Sequence, residues 1–201
     1  MFSENLQIVL KPVLLTLRIV HFAFSASIIG YGAVLFMFIN KGLKESSSMG
    51  STMESYLYGV AVVIAIAALV YRQHLYSQKH LAKLYLKDIS PEQLATNSQT
   101  KILNEARLSQ IKSLPQSEYR FLVLVHSMIP PNIINLAINE AVALQGFALG
   151  FMLQEPNAII PFALVSLALN ASIWPRPETL YDRVQRFGLT YFPTDAQTTG
   201  Q

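Results

Sequence analysis

The chain has 201 residues, of which 52% are hydrophobic and 13% are charged, and its formal net charge is +3. Soluble domains carry roughly 25% charged residues, so this composition predicts an integral membrane protein. The basic residues mostly flank apolar segments, which is typical of membrane topology signals and argues against nucleic acid as a partner. Because the chain has no cysteine, disulfides, thiolate metal sites and cysteine nucleophiles are excluded.

Four apolar segments are candidates for membrane spans, because a bilayer core needs about 20 mostly apolar residues per helix. They cover about residues 19–39, 56–71, 131–153 and 158–174. The first segment is about twice as long as the apolar core of a typical signal peptide, so we expect it to be a retained anchor. The predicted fold class is all-α, an integral membrane bundle of four helices.

Basic residues orient the four predicted spans. Only two of the 15 Lys and Arg residues, Lys41 and Lys44, lie between spans one and two. All the others lie before span one, between spans two and three, or after span four. By the positive-inside rule, both termini, the middle loop 72–130 and the tail 175–201 are predicted to be cytoplasmic, at a bacterial inner membrane.

The middle loop is predicted to contain helices of its own. Leucines among cations in RQHLYSQKHLAKLYLKD indicate that helix two continues past the membrane surface. The sequence SPEQ at 90–93 is typical of a helix start, with serine as the cap and proline in the first turn. A further helix is predicted over 104–129, interrupted near Pro115, and its apolar part FLVLVHSMI could lie along the membrane interface.

Prolines punctuate the end of the loop and the tail. Pro130 and Pro131 are predicted to break the helix before span three, because the residue before a proline is pushed out of helical conformation. The tail after Trp174 carries prolines and polar residues, and its last ten residues are expected to be disordered.

Small residues repeat at helical spacing on three of the spans. Membrane helices associate through close packing and polar contacts, so such stripes predict the faces where helices meet. The stripes are Ala26, Gly30 and Ala33 on span one; Ala61, Ala65 and Ala68 on span two; and Ala143, Gly146 and Gly150 on span three.

Glu140 is the only charged residue in the apolar stretch 133–153, and Asn135 and Asn139 precede it on the same segment. An ionisable group at bilayer depth costs about 3 kcal/mol or more, so it usually faces protein and often marks function. One hypothesis is an ion-binding site in which Glu140 carries a proton or sodium ion with Asn135 and Asn139 beside it. The alternative is a buried, protonated carboxyl that holds helices together by hydrogen bonds.

The segment AINEAVALQGFALGFML, residues 137–153, resembles the carboxylate-bearing helix of rotor-ring (c-type) proteolipid subunits of rotary ATPases. The resemblance is carried by Glu140, Ala141, Ala143, Leu144 and Gly146. It implies that Glu140 is an ion-binding carboxylate. The chain as a whole also resembles uncharacterised bacterial four-span membrane proteins, a resemblance that implies no activity.

His21 and His126 lie near the predicted cytoplasmic ends of apolar segments, where two histidines could be axial ligands of a haem b. Interfacial histidines without a cofactor are the alternative. No acidic cluster predicts a divalent metal, and no nucleophile elbow or phosphate-binding glycine loop is present.

The leading hypothesis is a non-enzymatic membrane subunit that acts as a scaffold or assembly partner, with lipid and either other subunits or further copies of itself as partners. The alternative is a rotor-like component that translocates protons or sodium ions through Glu140. The third hypothesis is a haem-binding electron carrier.

Overall fold

The computed structural model describes residues 2–40, 51–96 and 103–189, which are almost entirely helical, so the all-α class is confirmed. Lys41, Lys44 and the last ten residues, for which the sequence predicts a loop and disorder, lie outside these ranges. The helices are α1 (Glu4–Asn40), α2 (Ser51–Leu75), α3 (Gln78–Tyr85), α4 (Pro91–Ala95), α5 (Glu105–Lys112), α6 (Gln116–Ser127), α7 (Ile129–Leu153), α8 (Ile160–Ser172) and α9 (Pro177–Arg186), with a 3₁₀ turn at Pro156–Ile159.

Several of these helices are long and apolar enough to cross a membrane. Three such stretches are Glu4–Ile39, Glu54–Leu75 and Gln116–Leu153. A fourth crossing is counted if Pro156–Ser172 and Pro177–Arg186, which are separated by a bend, form one span. By length and composition, three to four helices among the described residues could therefore cross a membrane.

The chain divides into two compact units. The span unit contains Leu15–Leu75 and Ile129–Pro175, and it holds most of the apolar helices. The loop unit contains the N-terminal residues to Leu14, Tyr76–Met128, and the residues from Arg176 onward. The division matches the composition, because the amphipathic helices α3 and α9 both belong to the loop unit.

In the span unit, α7 packs closely against α2 and α8. The predicted stripe on α2 faces inward, with Ala61 and Ala68 buried and Ala65 half-buried. Ala143 on α7 is fully buried. Small side chains let helix backbones approach, and the resulting dispersion contacts hold helices together where lipid offers no hydrophobic driving force.

Two glycines on α7 allow neighbours to approach the helix surface. A Cβ added to Gly146 would lie 2.6 Å from Phe162 Cβ, and one added to Gly150 would overlap the side chain of Leu35. Real Cβ atoms are not found this close to other carbon atoms, so both positions require glycine unless the neighbour moves. Gly146 therefore positions α8 and Gly150 positions α1.

The predicted stripe of small residues on α1 does not form a closely packed helix contact. Ala26 and Ala33 are exposed, and a Cβ added to Gly30 would meet no atom within 4 Å. The buried positions of α1 in the span unit include Ile28 and Leu35. The backbone of α1 comes close to the neighbouring helices at few points. Long side chains therefore fill the space between α1 and its neighbours, which an alanine side chain is too short to fill.

Three helices of the loop unit, α3, α4 and α5, begin at polar caps. Ser90 and Gln93 form the predicted capping box, in which each side chain accepts a hydrogen bond from the other residue's backbone amide. Asn104 caps α5 by accepting a hydrogen bond from the Arg107 amide at 3.0 Å. Helix two continues four residues past the predicted span end at residue 71, to Leu75, and Ser77 then caps a separate helix, α3. A serine cap satisfies an amide that the helix itself leaves unpaired.

The apolar segment 121–125 is buried, with its five residues at most 3% exposed. The helix break predicted at Pro130 and Pro131 is found two residues before them, because α6 ends at Ser127 and α7 begins at Ile129. Both prolines lie in the first turn of α7, where the missing amide of proline costs no hydrogen bond. The tail contains α9, whose Tyr181 ring packs against Phe121 at 5.3 Å between ring centroids.

Gly146→Ala should destabilise the span unit, because the added methyl group overlaps Phe162. We expect a loss of about 1–3 kcal/mol, the usual cost of overpacking, measured as a lower midpoint of thermal unfolding in detergent. Gly30→Ala is the matched control in open space and should leave the midpoint unchanged or raise it. Equal shifts in the two variants would contradict this packing.

Candidate functional site

The carboxyl group of Glu140 contacts two hydroxyl groups of α1. Ser27 and Tyr31, one helical turn apart, both donate hydrogen bonds to Glu140 Oε1, and the bond from Tyr31 measures 2.6 Å. Phe147, on α7, packs against the Tyr31 ring with 5.8 Å between ring centroids. A half-buried carboxyl on α7 is thus attached to α1 by two hydroxyl groups and one aromatic contact.

The single hydroxyl proton of Ser27 can be donated in two alternative hydrogen-bond arrangements. The Ser27 hydroxyl has one proton but two acceptors in reach, Glu140 Oε1 and the Phe24 carbonyl oxygen at 2.7 Å. If Glu140 is ionised, Ser27 donates to the carboxylate. If Glu140 is protonated, its hydroxyl donates to Ser27, which then donates to Phe24. The same heavy-atom positions therefore satisfy both protonation states of Glu140.

No basic side chain within the described residues forms an ion pair with Glu140. Among the described residues, the ion pair that forms is Lys112 with Glu92 at 2.9 Å, in the loop unit. The second oxygen of Glu140, Oε2, has no hydrogen-bond donor from this part of the chain.

Asn139 faces a different helix from its neighbour Glu140. Its side-chain amide donates to Asn170 Oδ1 on α8 at 3.0 Å, and its backbone carbonyl accepts a hydrogen bond from Ser166 at 2.6 Å. Asn170 in turn donates to Ser25 on α1 at 3.5 Å. Adjacent residues on a helix point about 100° apart, so Asn139 contacts α8 while Glu140 contacts α1.

Asn135 is buried but unpaired. It is 1% exposed, and neither its Oδ1 nor its Nδ2 has a hydrogen-bond partner among the described residues. The sequence hypothesis placed Asn135 and Asn139 beside the carboxyl of Glu140, but neither side-chain amide forms a hydrogen bond with that carboxyl. The hydroxyl groups of Ser27 and Tyr31 bind it instead. These two hydroxyl residues lie four positions apart on span one, and that spacing was the signal in the sequence that could have identified them.

The two histidines of the haem hypothesis belong to different units. His21, in the span unit, is buried, and its ring packs edge-on against Trp174 with 4.8 Å between ring centroids. His126, in the loop unit, lies near the end of α6. Within the described ranges, no group of three or more His, Asp or Glu side chains is arranged to hold a metal ion.

Comparisons of the chain with protein-family models, with curated proteins and with solved structures give no match. The carboxyl of Glu140 holds α7 against α1 through the hydrogen bonds that Ser27 and Tyr31 donate.

Asn135→Leu should stabilise the protein, whereas Asn139→Leu should destabilise it. An unpaired buried amide costs about 1–3 kcal/mol, and leucine of similar size removes that cost. Asn139→Leu instead removes the hydrogen bond to Asn170 and leaves the Asn170 oxygen unpaired. The check is the midpoint of thermal unfolding of both full-length variants. Equal losses would mean that the Asn135 amide has a binding partner of its own.

Proposed function

We propose that this chain is a non-enzymatic integral membrane subunit of a larger complex, in which it acts as a scaffold or assembly partner. The division into two compact units is the observation that carries the proposal. The span unit supplies an anchor of long apolar helices, and the loop unit supplies a folded surface outside the bilayer. A separate folded module between spans is suited to docking other proteins.

In this proposal the chain crosses a bacterial inner membrane four times, with both termini and the loop unit in the cytoplasm. The fourth span is formed by the 3₁₀ turn and α8, which are short but almost wholly apolar. The excess of Lys and Arg in the segments of the loop unit supports this orientation.

Exposed apolar side chains provide surfaces for partners. On α1, Phe22 and Ile29 are 71% and 67% exposed, and in a membrane they would contact lipid or another subunit. In the loop unit, Ile8, Leu86 and Leu103 are exposed to at least 40%, which outside a bilayer favours a protein partner. Both kinds of surface are compatible with a hetero-complex or with a homo-oligomer.

Native mass spectrometry of the tagged full-length protein, gently extracted from its source membrane, tests the proposal. We expect a defined assembly, either with other membrane proteins or with further copies of the chain. Leu86→Asp in the loop unit should lower the occupancy of that assembly, while Lys83→Asp, an exposed control on α3, should not. A monomer without partners at native expression level would contradict the scaffold proposal.

The second candidate function is proton or sodium translocation by a rotor-like component. It is favoured by one observation: the oxygen atoms around Glu140 satisfy both the ionised and the protonated carboxyl through Ser27. A carrier must load and unload its ion without rebuilding the protein around it. Glu140 is also half-buried rather than enclosed, so an ion could reach it.

Glu140→Gln distinguishes the two functions. Glutamine keeps an oxygen acceptor for Ser27 and Tyr31, so we expect the variant to fold and to assemble with the same partners as the wild type. It has no ionisable proton, so any proton or sodium flux into proteoliposomes that depends on the carrier should be abolished.

Glu155→Gln, at the exposed turn after α7, is the control for loss of a carboxyl in the same unit. Flux that is equal in the wild type and Glu140→Gln would contradict the carrier. The scaffold function needs only a hydrogen-bond acceptor at position 140, which glutamine supplies. If Glu140→Gln lost its partners while Glu155→Gln kept them, that expectation would be contradicted.

A further inference from the structure

Helix α3 of the loop unit packs with one side and leaves the opposite side exposed. Leu81 and Tyr85 are buried on the packed side, where α3 contacts α6 and the Tyr85 hydroxyl donates a hydrogen bond to the Ser117 carbonyl oxygen at 3.4 Å. These contacts fix the rotation of the helix about its own axis. At about 100° per residue, Lys79 and Lys83 lie on the opposite side, and both side chains are exposed.

Lys79 and Lys83 are neighbours on this exposed side. Residues four apart on a helix have Cβ atoms about 5–6 Å from each other, so two like charges adjoin, which costs free energy unless an anion lies near them. Lys87, two residues past the end of α3, is also exposed. Within the described ranges the ion pair that forms joins Lys112 to Glu92, so these three residues, the α3 lysines, have no carboxylate partner there.

The stretch of sequence around the α3 lysines contains no acidic residue. Between Glu54 and Asp88 the charged residues are Arg72 and the three α3 lysines. A cluster of four cations directly after a membrane-spanning helix is typical of segments that bind anionic lipid. The charge of the exposed side of α3 is therefore complementary to a negatively charged bilayer surface.

The connection to α2 keeps the α3 lysines near such a surface. The candidate span Glu54–Leu75 has 22 residues. At about 1.5 Å per residue it is about 33 Å long, which is enough to cross a hydrocarbon core of about 30 Å and to end at the headgroups. Lys79 follows four residues later. Because consecutive Cα atoms are about 3.8 Å apart, its Cα lies within about 15 Å of that of Leu75, and its long side chain shortens the remaining gap.

We propose that the α3 lysines bind the anionic headgroups of the membrane surface from which α2 emerges. Lysine ammonium groups bind lipid phosphates as point charges, so the contact selects negative charge rather than one headgroup structure. A lipid surface is favoured over an acidic protein because the covalent connection to α2 holds the lysines beside the bilayer, whereas a separate partner has to be captured from solution.

This inference rests on the proposed insertion of α2 in a membrane with the loop unit in the cytoplasm. It depends neither on Glu140 nor on a protein partner. Removal of lysines from α3 should therefore leave the native assembly intact, so that failure of lipid binding and failure of the scaffold function are separate results.

The test uses one fluorescent label on α3 of the full-length protein. Because the chain has no cysteine, Gln78→Cys at an exposed position gives a single attachment site. The labelled protein is placed in nanodiscs of phosphatidylcholine, alone or with an equal part of phosphatidylglycerol, that contain a lipid with a quencher on its headgroup. We expect stronger quenching with phosphatidylglycerol. Molar salt should abolish the difference, because the Debye length then falls to about 3 Å.

Lys79→Gln combined with Lys83→Gln should reduce the quenching in phosphatidylglycerol nanodiscs. Loss of one lysine near an anionic surface weakens binding about fivefold, so the ratio of bound to unbound α3 should fall about 25-fold in the double variant. Both positions are exposed and glutamine is a good helix former, so the helical circular dichroism should stay unchanged.

Lys112→Gln combined with Arg186→Gln is the matched control, because it removes the same charge from two exposed sites of the loop unit outside α3. It should leave the quenching unchanged. An equal loss in both double variants would overturn the α3 site in favour of general surface charge. Quenching that is the same with and without phosphatidylglycerol would overturn anionic lipid as the ligand. A label that is shielded in the native assembly but not quenched in these nanodiscs would overturn the lipid in favour of a protein.

Discussion

The hydrogen bonds from Ser27 and Tyr31 to Glu140 connect α1 to the rest of the span unit. The other three apolar elements, α2, α7 and α8, pack by close approach of small residues, but the backbone of α1 approaches them at few points. Where backbones stay apart, dispersion contacts are fewer and polar contacts matter more. Each such bond within a membrane contributes about 1–2 kcal/mol, so the pair is a substantial part of what holds α1 in place.

A second polar group supports the same arrangement from another side of α7. Asn139 binds α8 through Asn170, and Asn170 reaches Ser25 on α1. Adjacent residues of one helix thus attach it to two different neighbours. Glu140, Asn139 and Asn170 thus use their polar groups for attachment between helices.

The sequence was sufficient to predict the helical class, the presence of helices long and apolar enough to cross a membrane, and the Ser90 cap in the loop unit. These features depend on local patterns, such as apolar runs and the SPEQ motif at 90–93. It was not sufficient for the side of α1 that packs inward, because Ala26 and Ala33 form as regular a stripe as Ala61 and Ala68 on α2. The difference is the distance between helix backbones, which no pattern within one helix encodes.

The candidate site illustrates the same limit. Glu140 could be identified from its isolation in an apolar stretch, and Asn135 and Asn139 seemed its natural neighbours along the chain. Its hydroxyl partners lie 113 and 109 residues earlier in the sequence. Contacts of that separation depend on how α1 and α7 come together. In the same way, the burial of the segment 121–125 could not be predicted from its own pattern, because the ring partners of Phe121, Phe2 and Tyr181, lie at opposite ends of the chain.

The hydrogen bond from Ser27 to the Phe24 carbonyl has a consequence for biosynthesis. At about 5–20 residues per second, on the order of ten seconds pass between synthesis of Ser27 and synthesis of Glu140. During that interval α1 can enter the bilayer with its serine hydroxyl already satisfied by its own backbone. The carboxyl, which is far more costly to expose to lipid, is made only after its donors are in place. Because α1 precedes α7 in the chain, the hydroxyl donors for Glu140 are already present when α7 is synthesised.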